Sequence, residues 1–467
     1  NLIGYSYIAS PFSIFSRIDK VKPGTLVRFK QLEKQWTQVA IDSWWQIDSK
    51  TSRTCWVPGT SKNKTKLKLL EVLEEVVDQQ GNADVPVGAF LSGGVDSTLV
   101  TAIHQKNRRE SIKTFTIAFS EVEFNEGRHA SLVAEKIGTD HKEFILTPDE
   151  ALEIIQTIPQ AYGEPFADSS QVATLAVCRA AAQTVSAALT GDGGDEVFGG
   201  YNRYVWAPRI WSFRESCPDL LLKVARFMLE KPSPGSWRVL QKYLSSVGKI
   251  PEFADKMHKV AWALSASTKT ELFRGLISHH RLLGAVIDGR PDDVGASYRS
   301  VLEGPDPFGR AMMQVDLLTY LPEDILVKLD RAAMSVGLEA RAPLIDIRII
   351  DFMRKVPTDY LFEARPGKTL LREALKMYLP IKLIERPKAG FAVPIGEWLR
   401  GPLQGWADAL LTKDRLLAEG LFDADLVRNF WKEHLHGKID CHQSLWPVLM
   451  FQAWYESYEV SASAVQP

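Results

Sequence analysis

Residues 85–106 constrain the fold of this chain more than any other stretch. The apolar run at 85–91 reads as a buried strand, Ser92-Gly93-Gly94 interrupts it, and Leu99, Val100 and Ile103 follow at helical spacing. A helix that starts straight after a glycine turn aims its unsatisfied N–H groups and partial positive charge into that turn. Glycine also lets the backbone come close to an anion there. Ser92 and Ser97 add hydroxyl donors. Asp96 would repel a phosphate, so its place in such a loop is that of a ligand for a magnesium ion bridging phosphates. A lone Ser-Gly-Gly also fits an ordinary strand-to-helix turn capped by Asp96 or Ser97. The complete string Ala89-Phe90-Leu91-Ser92-Gly93-Gly94-Val95-Asp96-Ser97 favours the phosphate reading. The loop is not of the Walker type: Gly367-Lys368-Thr369 has Phe362 where that motif needs its first glycine, and it reads as a helix N-terminus.

The text around this loop alternates between the two periodicities. Leu69, Leu70, Leu73, Val76 and Val77 mark a helix ending near Gly81; strands are expected at 112–119, 143–146 and 185–190, and helices at 128–137 and 171–184. The expected fold is therefore α/β, a doubly wound and mainly parallel sheet, with a helix-rich C-terminal part and ligands beyond the carboxyl ends of the strands. Residues 1–50 hold short β-like runs, 51–65 read as a polar linker, and 66–467 form the main domain, within which 204–310 are helix-rich. Glu339 and Arg341 flank an expected turn and read as a buried structural pair, and Trp446 and Trp454 lie on an expected core helix.

Composition narrows the function classes. With 56 basic and 57 acidic side chains in 467 residues there is no basic excess, so no nucleic-acid partner is expected. The most apolar window, 172–190, is interrupted by Arg179 and Gln183 and broken at Gly191; it reads as a buried helix running into a buried strand, not as a membrane span. The chain opens at Asn1 with no charged leader, and the four cysteines, Cys55, Cys178, Cys217 and Cys441, are scattered, so a cytoplasmic protein is expected.

Ser92-Gly93-Gly94-Val95-Asp96-Ser97 resembles the pyrophosphate loop of the ATP-pyrophosphatase (adenine nucleotide alpha hydrolase-like) families. Further strings narrow the resemblance: Thr190-Gly191-Asp192-Gly193-Gly194-Asp195-Glu196-Val197-Phe198-Gly199-Gly200-Tyr201, Leu321-Pro322-Glu323-Asp324-Ile325-Leu326-Val327-Lys328-Leu329-Asp330-Arg331, Gly337-Leu338-Glu339-Ala340-Arg341-Ala342-Pro343, and Arg386-Pro387-Lys388-Ala389-Gly390-Phe391. Together they look like the synthetase domain of class-B, glutamine-hydrolysing asparagine synthetases, over about 69–454. Residues 1–50 resemble the end of that family's glutaminase domain. The family's N-terminal nucleophilic cysteine has no counterpart, Asn1 cannot replace it, and the chain as given is not expected to hydrolyse glutamine.

The resemblance implies an ATP-dependent, amide-forming ligase acting on aspartate or a related acid, with ATP and Mg2+ as cofactors. Ammonia would come from solution or from a glutaminase domain or subunit, and a homodimer is the assembly it allows. Asp96 and Asp195 become metal ligands and catalytic groups, and Lys388 the cation that reaches the α-phosphate. Phe90, Ser92, Gly93, Gly94, Val95, Asp96, Ser97, Ile117, Thr190 and Gly191 become nucleotide contacts, and Asp192, Asp324 and Lys328 contacts to the acid or its intermediate. Ordinary roles compete for several of these: core packing for Phe90 and Ile117, a solvated turn for the Asp192–Glu196 string, surface solvation for Lys388, and helix ion pairing for Lys328. Two functional rivals stand beside the aspartate reading. One is amidation of a sugar uronate or another carboxylate for surface polysaccharide; the other is a nucleotide-binding module without catalysis.

Overall fold

The computed structural model describes every residue except 33–34, 47–60, 107, 122–125, 231–259, 279–283, 285, 287–296, 363–366, 386–392, 438 and 465–467. Two compact units are present: Asn1–Gly200 with His279–Pro291 and Asp316–Pro467, and Tyr201–Ser278 with Asp292–Val315.

In the first unit the chain opens with a single buried helical turn, α1 (Leu2–Tyr5). Tyr7 and Ile8 are buried too, and the Ala167 amide donates to the Ser6 carbonyl at 2.8 Å. Strands β1 (Thr25–Leu32) and β2 (Gln35–Ser43) then form a largely exposed antiparallel hairpin. Helix α2 (Lys62–Gly81) is capped by Ser61, whose side chain accepts the Lys64 amide, and buries the stripe Leu69, Leu70, Leu73, Val76, Val77. It begins earlier than the sequence pattern suggested: residues 62–65 of the expected linker are helical.

The core follows as β3 (Val87–Phe90), α3 (Val95–Lys106), β4 (Lys113–Phe119), α4 (Gly127–Ile137), β5 (Asp140–Leu146), α5 (Pro148–Tyr162), α6 (Gln171–Ala182), β6 (Ala187–Leu189) and the short α7 (Gly194–Phe198). A last strand, β7 (Glu339–Arg341), comes from far along the chain. The strands form one sheet in the order β5-β4-β3-β6-β7, every pair parallel. The chain runs outward from β3 through β4 to β5, then returns to the other side of β3 for β6. The direction of winding thus reverses between β3 and β6, and a crevice opens there beyond their carboxyl ends. Ala89, Leu91, Leu99, Ile103, Phe115 and Leu189, in the sheet and in α3, are all fully buried. Each such large apolar side chain contributes roughly 1.5–3 kcal/mol. The 172–190 window is a helix leading into a strand, as read from the sequence.

Strand β7 replaces the expected turn at 339–341. Nothing in Glu-Ala-Arg favours a strand; it forms because the edge of β6 offers unpaired backbone groups, and the Glu339 amide bonds to Ser186 O while the Thr190 amide bonds to Arg341 O. Glu339 and Arg341 do pair, at 2.9 Å, but Glu339 is exposed and the pair is not buried. Arg341 also braces α2: its Nη1 donates to the carbonyls of Gln80 at 2.6 Å and Asn82 at 3.2 Å, satisfying acceptors at the end of that helix. Replacing Arg341 with leucine is expected to lower stability by about 1.5–3 kcal/mol, read as a shift of the urea midpoint. An unchanged midpoint would show that the clamp is idle.

Among the described residues the second unit contains the helices Asn202–Ser216, Asp219–Glu230, Lys269–Ile277 and Arg299–Leu302, in line with the helix-rich reading for the described part of 204–310. Among the described residues of the whole chain, no helix is long and apolar enough to cross a membrane. Cys178, Cys217 and Cys441 are free thiols; Cys55 lies outside the described residues.

Candidate active site

The loop after β3 is held open by its own serines. Ser92 Oγ and Ser97 Oγ lie 3.0 Å apart, the Ser92 amide donates to Ser97 Oγ at 3.3 Å, and the Gly94 amide donates to Ser92 Oγ at 3.3 Å. Gly93 sits at φ 73, a left-handed conformation that a side chain disfavours. Val95 starts α3, so the first-turn amides of that helix lack intrahelical acceptors at this end. The N–H groups left over at this helix start are what an anion would use.

The loop after β6 packs directly on it. A Cβ placed on Gly191 would lie 2.5 Å from the Ser97 amide nitrogen, and one on Gly194 would lie 2.4 Å from Asp96 Oδ1. This closeness brings Asp195, on the first turn of α7, beside Asp96, on the first turn of α3. Both carboxylates meet one cation that no phosphate-loop motif contains: Lys368 Nζ bonds to Asp96 Oδ2 and lies 2.8 Å from Asp195 Oδ1. The lysine is 5 % exposed. Burial alone lowers the pKa of its ammonium, but the charges of Asp96 and Asp195 more than reverse that and leave it above the ordinary lysine range. Gly367-Lys368-Thr369 is a helix N-terminus, as read from the sequence, with Lys368 at the N-cap of Thr369–Leu375. What the sequence lacked was its partner, 272 residues away.

The donor set suits magnesium in one respect. Two carboxylates converge, and Asp96 Oδ1 is buried with no hydrogen-bond partner among the described residues. Among those residues no cluster of three or more His, Cys, Asp or Glu side chains could hold a metal by itself. Magnesium bound here would complete its shell with phosphate oxygens, which is its habit in nucleotide sites.

Next to the carboxylate pair lies a second polar cluster. Asp192 is pushed above the usual carboxylate range by burial and by Asp96 and Asp195, against the opposing pull of Lys328. Lys328, on the helix Leu326–Met334, is buried, and its Nζ lies 2.7 Å from Asp168 Oδ2. Burial depresses its pKa, but Asp168 and Asp324 carry it above the ordinary lysine value. Asp324, 3 % exposed in a π-helical turn at Leu321–Ile325, is driven well above the carboxylate range by burial and by Asp168. Asp168 was absent from the sequence-derived set; its only signal was Asp168-Ser169-Ser170 ahead of an apolar helix, which reads as a cap.

Asp96, Asp195, Asp192, Asp324 and Lys328 are thus linked by bonds and charge, with Ser92, Gly93, Gly94, Val95, Ser97, Thr190 and Gly191 around them at the ends of β3 and β6. Phe90 closes β3. Ile117 is 4 % exposed in the middle of β4, paired in register with Phe144, a core position. Lys388 lies outside the described residues.

An α/β fold of the ATP-pyrophosphatase type is what the parallel sheet, its winding and the loop at its reversal define. Sequence comparison narrows the class: residues 68–456 match the asparagine synthase family, and the chain belongs to that family. A putative glutamine-hydrolysing asparagine synthetase of Mycobacterium tuberculosis (strain CDC 1551 / Oshkosh) is 34 % identical over 396 residues, covering 83 % of this chain and 57 % of the relative. Asparagine synthetase [glutamine-hydrolyzing] 1 of Bacillus subtilis (strain 168) is 26 % identical over 457 residues, 97 % of this chain and 67 % of the relative. The amidase chry2 of Gibberella zeae is 25 % identical over 397 residues, 76 % of this chain and 56 % of the relative. The chain therefore spans a little over half the length of the mycobacterial relative. Family membership supports an ATP-dependent ligase or amidotransferase.

Proposed function

We propose that this chain joins ammonia to the side-chain carboxylate of aspartate, converting ATP to AMP and pyrophosphate. The observation that carries the reading is the meeting of Asp96 and Asp195 at Lys368, beside the Ser92–Ser97 loop, at the reversal point of the sheet.

A carboxylate resists ammonia because its leaving group would be oxide. In the proposed route a carboxylate oxygen attacks the α-phosphorus of ATP, the bond to the bridging oxygen breaks, and pyrophosphate leaves with that electron pair. Ammonia then adds to the acyl carbon, loses a proton and expels AMP. The loop amides and the Ser92 and Ser97 hydroxyls would receive the departing pyrophosphate, and Lys368 and, by resemblance, Lys388 would offset charge growing on the phosphates. Asp96 and Asp195 would hold Mg2+, which when bound neutralises phosphate charge. Asp324 and Lys328 would face the acid. Residues 1–50 are proposed to belong to a glutaminase portion that supplies ammonia, a homodimer is the proposed assembly, and the cytosol is the proposed compartment.

Purified protein given ATP, Mg2+, aspartate and ammonium is expected to yield asparagine, AMP and pyrophosphate in equal amounts. Formation of ADP and phosphate would overturn the mechanism. The relative named an amidase motivates testing other acids, uronates included, in the same assay; pyrophosphate release with one of these and not with aspartate would reassign the substrate.

A further inference from the structure

Asp168 stands outside every motif singled out in the sequence, yet three hydrogen bonds hold its carboxylate near the site. Its Oδ1 accepts the Ser170 amide and the Ser170 hydroxyl, each at 2.8 Å, and its Oδ2 accepts Lys328 Nζ at 2.7 Å. The Asp324 carboxyl lies near enough to feel its charge. A carboxylate offers about four lone-pair positions; the protein itself fills three of those of Asp168, and the group is committed to Ser170 and Lys328. Its effect must pass through its partners. Lys328 uses one of its N–H groups on Asp168, which leaves donors for another acceptor.

We propose that Asp168 is a positioning residue: it fixes the direction of the Lys328 ammonium and of the Asp324 carboxyl so that these two groups meet the acid to be activated. The inference rests on the ligase reading above and adds to it the residue that sets the acid-binding end. The charge arrangement agrees with the geometry. Burial by itself would raise the Asp168 pKa, but Lys328 and the Ser170 bonds hold it down at about 2. Asp324 faces Asp168, Lys328 and Glu196, together with Tyr7 and Tyr162, and burial and the Asp168 charge raise its carboxyl well above the usual carboxylate range. The Asp168 charge thus acts on both groups, holding the Lys328 ammonium directly and favouring the protonated form of Asp324.

Two measurements test this. In Asp168→Asn the amide nitrogen opposes the Lys328 ammonium, and the KM for the acid is expected to rise about tenfold or more while the KM for ATP is unchanged. Independently of turnover, wild-type protein at neutral pH should show an infrared band of a protonated carboxyl that is missing in Asp324→Asn. Asp168→Asn should lose that band as well, because Lys328 is released to pair with Asp324 and ionise it. Ser170→Ala removes a single donor and should raise the acid KM by about fivefold or less, which keeps the test open if Asp168→Asn does not fold. Persistence of the band in Asp168→Asn, or equal changes in both KM values, would overturn the assignment. If wild-type protein releases pyrophosphate with no acid, the ligase reading fails, and the infrared comparison alone decides what Asp168 does.

Discussion

Replacing Lys368 by methionine is expected to lower the rate of pyrophosphate release by about 10²–10³-fold, the scale on which a fixed electrostatic partner of a transition state acts. The same change should destabilise the fold. Methionine matches the length of the lysine stem but leaves Asp96 and Asp195 facing each other without the cation, and their side chains are 17 % and 20 % exposed. Removing one partner from a buried charge group typically costs about 3–5 kcal/mol, because the remaining charge is left uncompensated. Turnover at saturating ATP and a denaturant titration measure the two effects separately. Added Mg2+ should restore part of the lost stability, since a cation that binds the folded carboxylates stabilises that state by mass action. A Lys368→Met protein of normal stability and turnover would show that the ammonium only fills space and would remove the main support for the proposed site.

Lys368 shows what a sequence can and cannot disclose. The run from β3 through the Ser92–Ser97 loop into α3 was readable because strand, glycine turn and helix are neighbours, and each leaves a local pattern in residue type. The winding of the sheet was readable for the same reason up to β6. Strand β7 was not: Glu339-Ala340-Arg341 has no strand preference, and it is held by backbone bonds to a partner about 150 residues upstream. Lys368 was correctly seen to begin a helix, yet its charge belongs to carboxylates far away in the chain. Asp168 and Lys328 are separated by 160 residues, and either alone resembles an ordinary cap or helix lysine. Ile117, a nucleotide contact by resemblance alone, sits where core packing already accounts for a β-branched residue. Local chemistry is written locally; the pairing of buried charges depends on topology.

Gly200→Ala is the second change expected to have a large effect, and it isolates position from charge. A Cβ at Gly200 would come within 2.0 Å of Asp195 Oδ1 and 2.2 Å of Lys368 Cε, distances that no real contact tolerates. The backbone of Gly200 is not in the left-handed region, so alanine brings no conformational strain of its own, and the whole consequence is displacement of the two side chains. A shift of that kind commonly lowers turnover by about 10²-fold even where every charged group is retained. The accompanying loss of stability should be about 1–3 kcal/mol, the usual range for one surplus carbon in a packed place. Gly138→Ala provides the contrast, because that residue has φ 86 and open space around the added carbon. Its strain should cost about 1 kcal/mol and leave turnover alone. If Gly200→Ala retains wild-type kcat while Gly138→Ala behaves as stated, then the spacing of Asp195 and Lys368 is irrelevant to the reaction, and the two charges act, if at all, only through the stability of the crevice.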